Sequence, residues 1–220
     1  MVQHNLSRLF PPGTAEDELK RLSIPVVSVD WATNPGYNLL IDLENAGYLA
    51  TRHLLEHGHR RIGLITYHTE VTNVRPIHQG YEKALAEFGV RLDLELVARV
   101  SRFDMPAGAL GMRELLAIDR PPTAVFAICD PMALGALREI KANGLRVPQD
   151  IALIGFNDNP LAALVDPPLT TVAAPARELG VEAIKMLQSL ISGVGPSQAR
   201  VVLPVHLILR GSCGCEMGSE

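Results

Sequence analysis

Two continuous apolar runs with one amphipathic helical pattern between them restrict the fold of this 220-residue chain more than any other feature. Thr123-Ala-Val-Phe-Ala-Ile128 and Asp150-Ile-Ala-Leu-Ile-Gly155 do not alternate apolar with polar residues, so neither suits a strand with one face in water. Both suit parallel strands covered by helices on both faces. Between them, Asp130-Pro131 has the chemistry of a helix start: a carboxylate at the N-cap that can accept from free backbone N–H groups, then a proline pre-set for the first turn. Ala133, Ala136, Leu137 and Ile140 recur at three- and four-residue spacing as one buried stripe, and Gly144 supplies a left-handed stop. The second run opens into Phe156-Asn157-Asp158-Asn159-Pro160, a cluster of turn-forming, hydrogen-bonding side chains. Ligands of open α/β sheets bind just beyond the carboxyl ends of the strands. Cys129, Asp130, Asn157 and Asp158 therefore stand where a ligand would.

The same alternation extends along the chain. Thr14 and Asp17 form a weak variant of a capping box and open a short helix through Leu22; Ile24–Val29 reads as a strand ending at Asp30. Asn38–Ile41 is a short strand, and Leu43, Ala46, Ala50 and Leu54 mark a helix stopped by Gly58. A strand over Arg61–Thr66, a polar loop, a helix carrying Tyr81, Ala84, Leu85 and Phe88, a strand over Leu94–Val100 and a helix over Pro106–Ala117 follow. Leu179, Ala183, Leu187 and Leu190 mark a last helix, and Ala199–Leu209 a last strand interrupted by Pro204. Alternating strands and helices predict right-handed crossovers and mainly parallel sheets, an α/β class.

Composition excludes several classes of function. Hydrophobic residues make up 47% and charged residues 20%, which is the balance of a folded chain. A formal charge of −4 lacks the basic footprint of a nucleic-acid surface. Three cysteines, Cys129, Cys213 and Cys215, are too few for a disulfide framework and fit a reducing cytoplasm. No apolar stretch is long enough to span a bilayer, and the first residues show no export signal. Nucleophile elbows, Walker loops and dinucleotide fingerprints are all missing from the sequence, so an enzyme reading has no motif behind it.

The segments AVFAICDPMALGALREIKANGLRVPQDIALIGFNDNP and DPPLTTVAAPARELG resemble the effector-binding core of the lactose/galactose repressor (LacI/GalR) family of bacterial transcription regulators. The likeness continues through IPVVSVD, AGYLATRHLLEHGHRRIGLI, GYEKALAEFG and LPVHLILRGSCG, covering nearly all of Ile24–Gly214. It implies a periplasmic-binding-protein-like type I core of two lobes with a cleft between them, preceded in the family by a helix-turn-helix headpiece that this sequence lacks. It also implies an N-terminal lobe of residues 1–41 plus 174–203, N-terminally incomplete, and a C-terminal lobe of residues 42–173 plus 204–220. The expected partners are a small-molecule effector and a second copy of the chain. DNA would be reached only through the headpiece.

The resemblance also assigns roles. Cys129 stands where the family commonly carries a ligand-binding asparagine, and a thiol is a poorer donor and acceptor. Asn157 stands where an aspartate grips ligand hydroxyls, and Phe103 matches an aromatic that stacks on the effector, with a core phenylalanine as the competing reading. The family's effector-binding arginine falls at Ile77. Arg75, biased towards extended geometry by Pro76, is the candidate replacement, and Asn73 in the same loop is a lesser one. With Asp30, Asp130 and Asp158, these residues form the candidate site. Such a pocket has lost an ionic clamp and kept an aromatic platform, so it should prefer a neutral sugar or polyol to a phosphorylated ligand. His53, His57 and His59, and the Cys213/Cys215 tail, lack partner ligands at a recognisable spacing; no metal and no cofactor is assigned. The competing functions are a stand-alone solute-binding protein and, on fold analogy alone, an α/β hydrolase.

Overall fold

The computed structural model describes residues 25–30, 36–68 and 74–215. The predicted helix before Leu22, the start of the strand at Ile24, and Asn73 lie outside them. The chain divides into two compact units, with boundaries between Leu40 and Ile41, Pro175 and Ala176, and Leu203 and Pro204. The smaller contains strands β1 (Val27–Val29), β2 (Tyr37–Ile41, all but its last residue) and β8 (Arg200–Leu203) and helix α5 (Ala176–Ile191), the sheet order being β1-β2-β8. Strands β1 and β2 are parallel, with Val27 opposite Tyr37. Helix α5 turns Leu179 and Met186 inwards and leaves Ile184 60% exposed.

The larger unit is built on a six-stranded sheet. Helix α1 (Leu43–Glu56) leads into β3 (Ile62–Tyr67), followed by α2 (Arg75–Glu87), β4 (Val97–Val100), α3 (Met105–Leu116), β5 (Ala124–Ala127), α4 (Asp130–Ala142), β6 (Ala152–Phe156), β7 (Thr170–Ala173) and β9 (His206–Ile208). The strand order is β4-β3-β5-β6-β7-β9, parallel except for β9, which pairs antiparallel with β7. The two apolar runs are the adjacent strands β5 and β6, and every residue of both is buried. Right-handed crossovers that step outwards from β3 to β4 and back across to β5 and β6 put α2 on one face and α3 and α4 on the other. Helix α1 packs beside α2.

Glycines let each helix pair cross with backbones in contact. A Cβ on Gly80 would stand 1.9 Å from the Glu44 carbonyl oxygen, and one on Gly47 would stand 2.1 Å from that of Ile77. Gly108 and Gly135 make the same reciprocal approach between α3 and α4, each 1.9 Å from a carbonyl of the opposite helix. Among large side chains, Tyr81 is 1% exposed and its hydroxyl donates to the Ile62 carbonyl at 2.8 Å, tying α2 to β3.

Four sequence expectations need correction. Leu94–Leu96 is a 3-10 turn rather than strand, because the Asp93 carboxylate accepts from the Glu95 N–H and closes the chain locally. The predicted strand over Ala199–Leu209 is two strands in two different sheets. Helix α2 starts at Arg75 instead of near Tyr81, since Pro76 in its first turn withholds an N–H that had no helical acceptor anyway. Arg75 is consequently helical, not extended. Finally, Asp130 is the first residue of α4 and does not cap it; Cys129 holds the N-cap position with no side-chain bond to the helix.

Candidate functional site

Strand β3 has β4 on one side and β5 on the other, and the chain leaves it in one direction and returns in the other. This is a topological switch point, where the loops beyond the carboxyl ends of neighbouring strands diverge and open a crevice. The carboxyl ends of β3, β4, β5 and β6 and the residues that follow them meet this edge, and they carry Tyr67, Phe103, Cys129, Asp130, Asn157 and Asp158.

An aromatic platform lies at the switch point. The rings of Tyr67 and Phe103 stack with centroids 4.6 Å apart and planes 12° from parallel, both half-buried. The sequence singles out Phe103 and not Tyr67. Its position as the last residue of β3 was the available signal. One residue earlier, the buried Thr66 hydroxyl lies 2.8 Å from Nε2 of His78 on α2. Burial first, and the Arg99 charge second, hold His78 below its ordinary pKa, so it faces this edge as a neutral imidazole that can donate and accept. A cavity of 240 Å³ lies between the end of β4 and the start of α3, lined by Ser101, Arg102, Asp104, Ala107 and Leu110 and by neither ring of the pair. A larger one of 570 Å³, lined by Lys141, Arg146, Pro148 and Asp166, opens on the opposite, amino edge of the sheet and has no aromatic lining.

Asp130, Asn157 and Asp158 form one connected turn. The Asp130 side chain is fully buried: Oδ1 accepts from the Thr171 hydroxyl at 2.7 Å and Oδ2 from the Asn159 N–H at 2.5 Å. Its carboxyl is pushed up to about 6 by burial, against the pull of those two donors and of the Arg210 charge. The carboxylate lies directly over Gly155, where a Cβ would stand 2.2 Å from Oδ1. Asp130 thus straps the loop after β6 to the start of α4. The Thr171 hydroxyl also accepts from the Asp158 N–H at 3.4 Å, and the Asp158 carboxylate pairs with Arg210 at 2.6 Å. With the Asp158 backbone so fixed, the turn holds two consecutive residues at positive φ, Asn157 at 103° and Asp158 at 53°. That leaves the Asn157 side chain exposed at the strand end.

The remaining expected residues are placed elsewhere. Cys129 is 6% exposed, and burial pushes its thiol up to about 12, so it is a protonated packing residue at neutral pH. Ile77 is core, 3% exposed. Arg75 is exposed in the first turn of α2. Asp30, at the carboxyl end of β1, belongs to the smaller unit, where its N–H donates to the Leu39 carbonyl at 2.7 Å. Asn73 falls outside the described residues.

Residues 51–213 match the periplasmic binding protein-like domain family. The chain is 37% identical over 206 residues to the HTH-type transcriptional repressor CytR of Escherichia coli K12, covering 93% of this chain and 57% of that protein. It is 38% identical over 194 residues to the ribose operon repressor of Haemophilus influenzae, covering 87% and 58%. A LacI family transcriptional regulator from Enterococcus faecium, solved with bound ribose, superposes with a TM-score of 0.83 at 29% identity, covering 90% of this chain and 74% of that one. The chain belongs to the LacI/GalR family. It carries the family's effector-binding core and spans a little over half the length of the curated repressors it matches. The α/β fold with mostly parallel sheets is the fold of LacI/GalR regulators. The LacI/GalR relatives are transcriptional repressors rather than enzymes. No described helix of this member is long and apolar enough to cross a membrane.

Proposed function

We propose that this chain is the effector-sensing and dimerisation core of a cytoplasmic LacI-type repressor, without catalytic activity, and that its effector is a neutral metabolite of the sugar class. The carrying observation is the stacked Tyr67–Phe103 pair at the switch point of the larger sheet, whose carboxyl edge also carries an exposed amide at Asn157 and, against Thr66 of β3, a neutral imidazole at His78. An aromatic face suits the apolar C–H face of a sugar ring, and uncharged donors and acceptors suit its hydroxyls. The backbone strain at Asn157 and Asp158 supports the same reading, since strained turns held by a surrounding network cluster at ligand clamps. The repressor relatives favour a regulator over a stand-alone solute-binding protein. Effector binding would bias a two-state equilibrium, and a DNA-binding headpiece coupled to that equilibrium would read it.

A thermal-shift panel tests this reading, because a ligand that binds only the native state raises the midpoint by mass action. Ribose or another neutral sugar should raise it, and Phe103→Ala and Tyr67→Ala should each abolish the rise. A larger rise with a sugar phosphate, lost in Arg75→Ala, would overturn the preference for a neutral ligand and place an arginine clamp at the start of α2.

A further inference from the structure

Two histidines at the end of α1, His53 in its last turn and His57 at its C-cap, and two cysteines of the chain's C-terminal segment, more than 150 residues apart in sequence, meet at the Cys215 sulfur. His53 Nε2 is 3.1 Å from Cys215 Sγ, and His57 Nε2 is 3.2 Å from the same sulfur. Cys213 Sγ is 3.1 Å from it as well. The ligand atoms of His53, His57 and Cys215 all lie within 4.8 Å of one another. We propose that His53, His57, Cys213 and Cys215 form a structural Zn²⁺ site.

Donor chemistry favours a cation over a cluster of ordinary hydrogen bonds. A thiol has one weak donor and a sulfur that accepts only weakly, yet three groups crowd the Cys215 sulfur. His57 Nδ1 lies 2.8 Å from the His53 carbonyl and can only donate to it, so in the neutral ring Nε2 is a bare lone pair directed at the cluster. That backbone contact is the outer-shell arrangement that fixes the tautomer of a ligating histidine. Cys213 has its own: the Thr170 hydroxyl donates to its sulfur at 3.2 Å, a bond that stabilises a thiolate. Two thiolates and two imidazoles are the donor set of closed, four-coordinate zinc sites. With ordinary Zn–S and Zn–N bond lengths, tetrahedral edges come to roughly 3.5 Å for N···S and roughly 3.8 Å for S···S. The N···S separations of 3.1 and 3.2 Å are a few tenths of an ångström shorter and the S···S separation of 3.1 Å is shorter by about 0.7 Å, so the two cysteines have to part the most to admit the ion.

The fold explains why these four residues meet. His53 in the last turn of α1 and His57 at its C-cap are four apart, with ring centroids 4.3 Å apart. Gly214 between the cysteines has a φ of 86°, a left-handed turn that brings both sulfurs to one side. Ser212 anchors the segment from below, donating to the Leu153 carbonyl at 2.6 Å and accepting from the Thr170 N–H at 2.8 Å. The helix end leads into the amino end of β3, and Gly214 faces Pro148 just before β6, so the site lies on the amino edge of the sheet, away from the aromatic platform. Its role would be to pin the C-terminal segment of the larger unit to α1.

The test uses the whole chain, reduced and stripped of metal. Adding Co²⁺ should give the intense visible bands of a tetrahedral complex with a thiolate charge-transfer band, saturating at one equivalent and displaced by Zn²⁺. Zn²⁺ at about a hundred times its Kd should raise the thermal midpoint by roughly 5–10 °C. His57→Ala and Cys215→Ser should lose both signals; His57 is exposed, so its replacement keeps the fold, and an unchanged far-UV spectrum checks this. A weak octahedral cobalt spectrum, an unmoved midpoint, or tetrahedral binding retained in both variants would overturn the proposal and leave a metal-free thiol–imidazole clasp.

Discussion

Gly155→Ala should damage this protein through Asp130 rather than through the strand that carries it. The added Cβ would stand 2.2 Å from Asp130 Oδ1, against an ordinary contact of 3.4 Å or more, so the carboxylate must retreat by at least the 1.2 Å difference. A displacement of that size stretches the 2.7 Å bond from Thr171 beyond hydrogen-bonding range and disturbs the 2.5 Å bond from Asn159. Overpacking a core costs about 1–3 kcal/mol, and weakening charge-assisted bonds to a buried carboxylate adds about 1.5–3 kcal/mol, so the single substitution should cost roughly 3–5 kcal/mol. Asp130→Ala alone leaves the Thr171 hydroxyl and the Asn159 N–H unpaired but also removes a buried charge, for a net cost of about 2–3 kcal/mol. Once Asp130 is gone the new methyl has room, and the double variant should be hardly less stable than Asp130→Ala. Urea unfolding of all four proteins, followed by far-UV circular dichroism, gives the coupling, expected at about 2–4 kcal/mol. Additive losses, with the double variant as unstable as the sum of the singles, would show that Gly155 is required for some other reason.

Asp130 should also leave a pH signature. Its carboxyl is raised from 3.8 to about 6, so the folded chain holds that proton more tightly than the unfolded chain; the stability this contributes is full below pH 3.8 and lost as pH rises through 6. The stability of the native protein relative to Asp130→Asn should therefore fall by about 3 kcal/mol between pH 3 and pH 7, and a difference independent of pH would contradict the assigned burial. Tyr81→Phe should cost about 1–2 kcal/mol in the same denaturation assay, because it leaves the buried Ile62 carbonyl without its donor. The smaller unit exposes Val26, Val29, Val181, Ile184, Ile191 and Val202, apolar surface of the kind that drives association. Light scattering should find dimers or larger species, and a monodisperse monomer would refute this.

The sequence was most legible where a single local signal settles the structure. The unbroken apolar runs of β5 and β6 could only be buried strands, and Gly58, Gly89 and Gly144 each mark a left-handed stop just past a helix end. It was least legible where one residue has two compatible local roles and a distant partner selects between them. Asp130 before Pro131 reads as a cap, yet Thr171, forty-one residues on, draws the carboxylate across Gly155 and moves the helix start back by one residue. Thr66 and His78 look like unrelated strand and loop residues until α2 begins at Arg75 and brings the imidazole over β3. The histidines of α1 fail as a metal motif by spacing alone, since no cysteine lies near them in sequence; β9 has to run antiparallel to β7 before Cys213 and Cys215 reach the amino edge where α1 ends. In each case the missing information is which polar atoms a turn or crossover brings within 3 Å, and apolar periodicity carries none of it. Sequence patterns therefore locate the edge of the sheet where a ligand belongs more readily than the polar residues that will meet it.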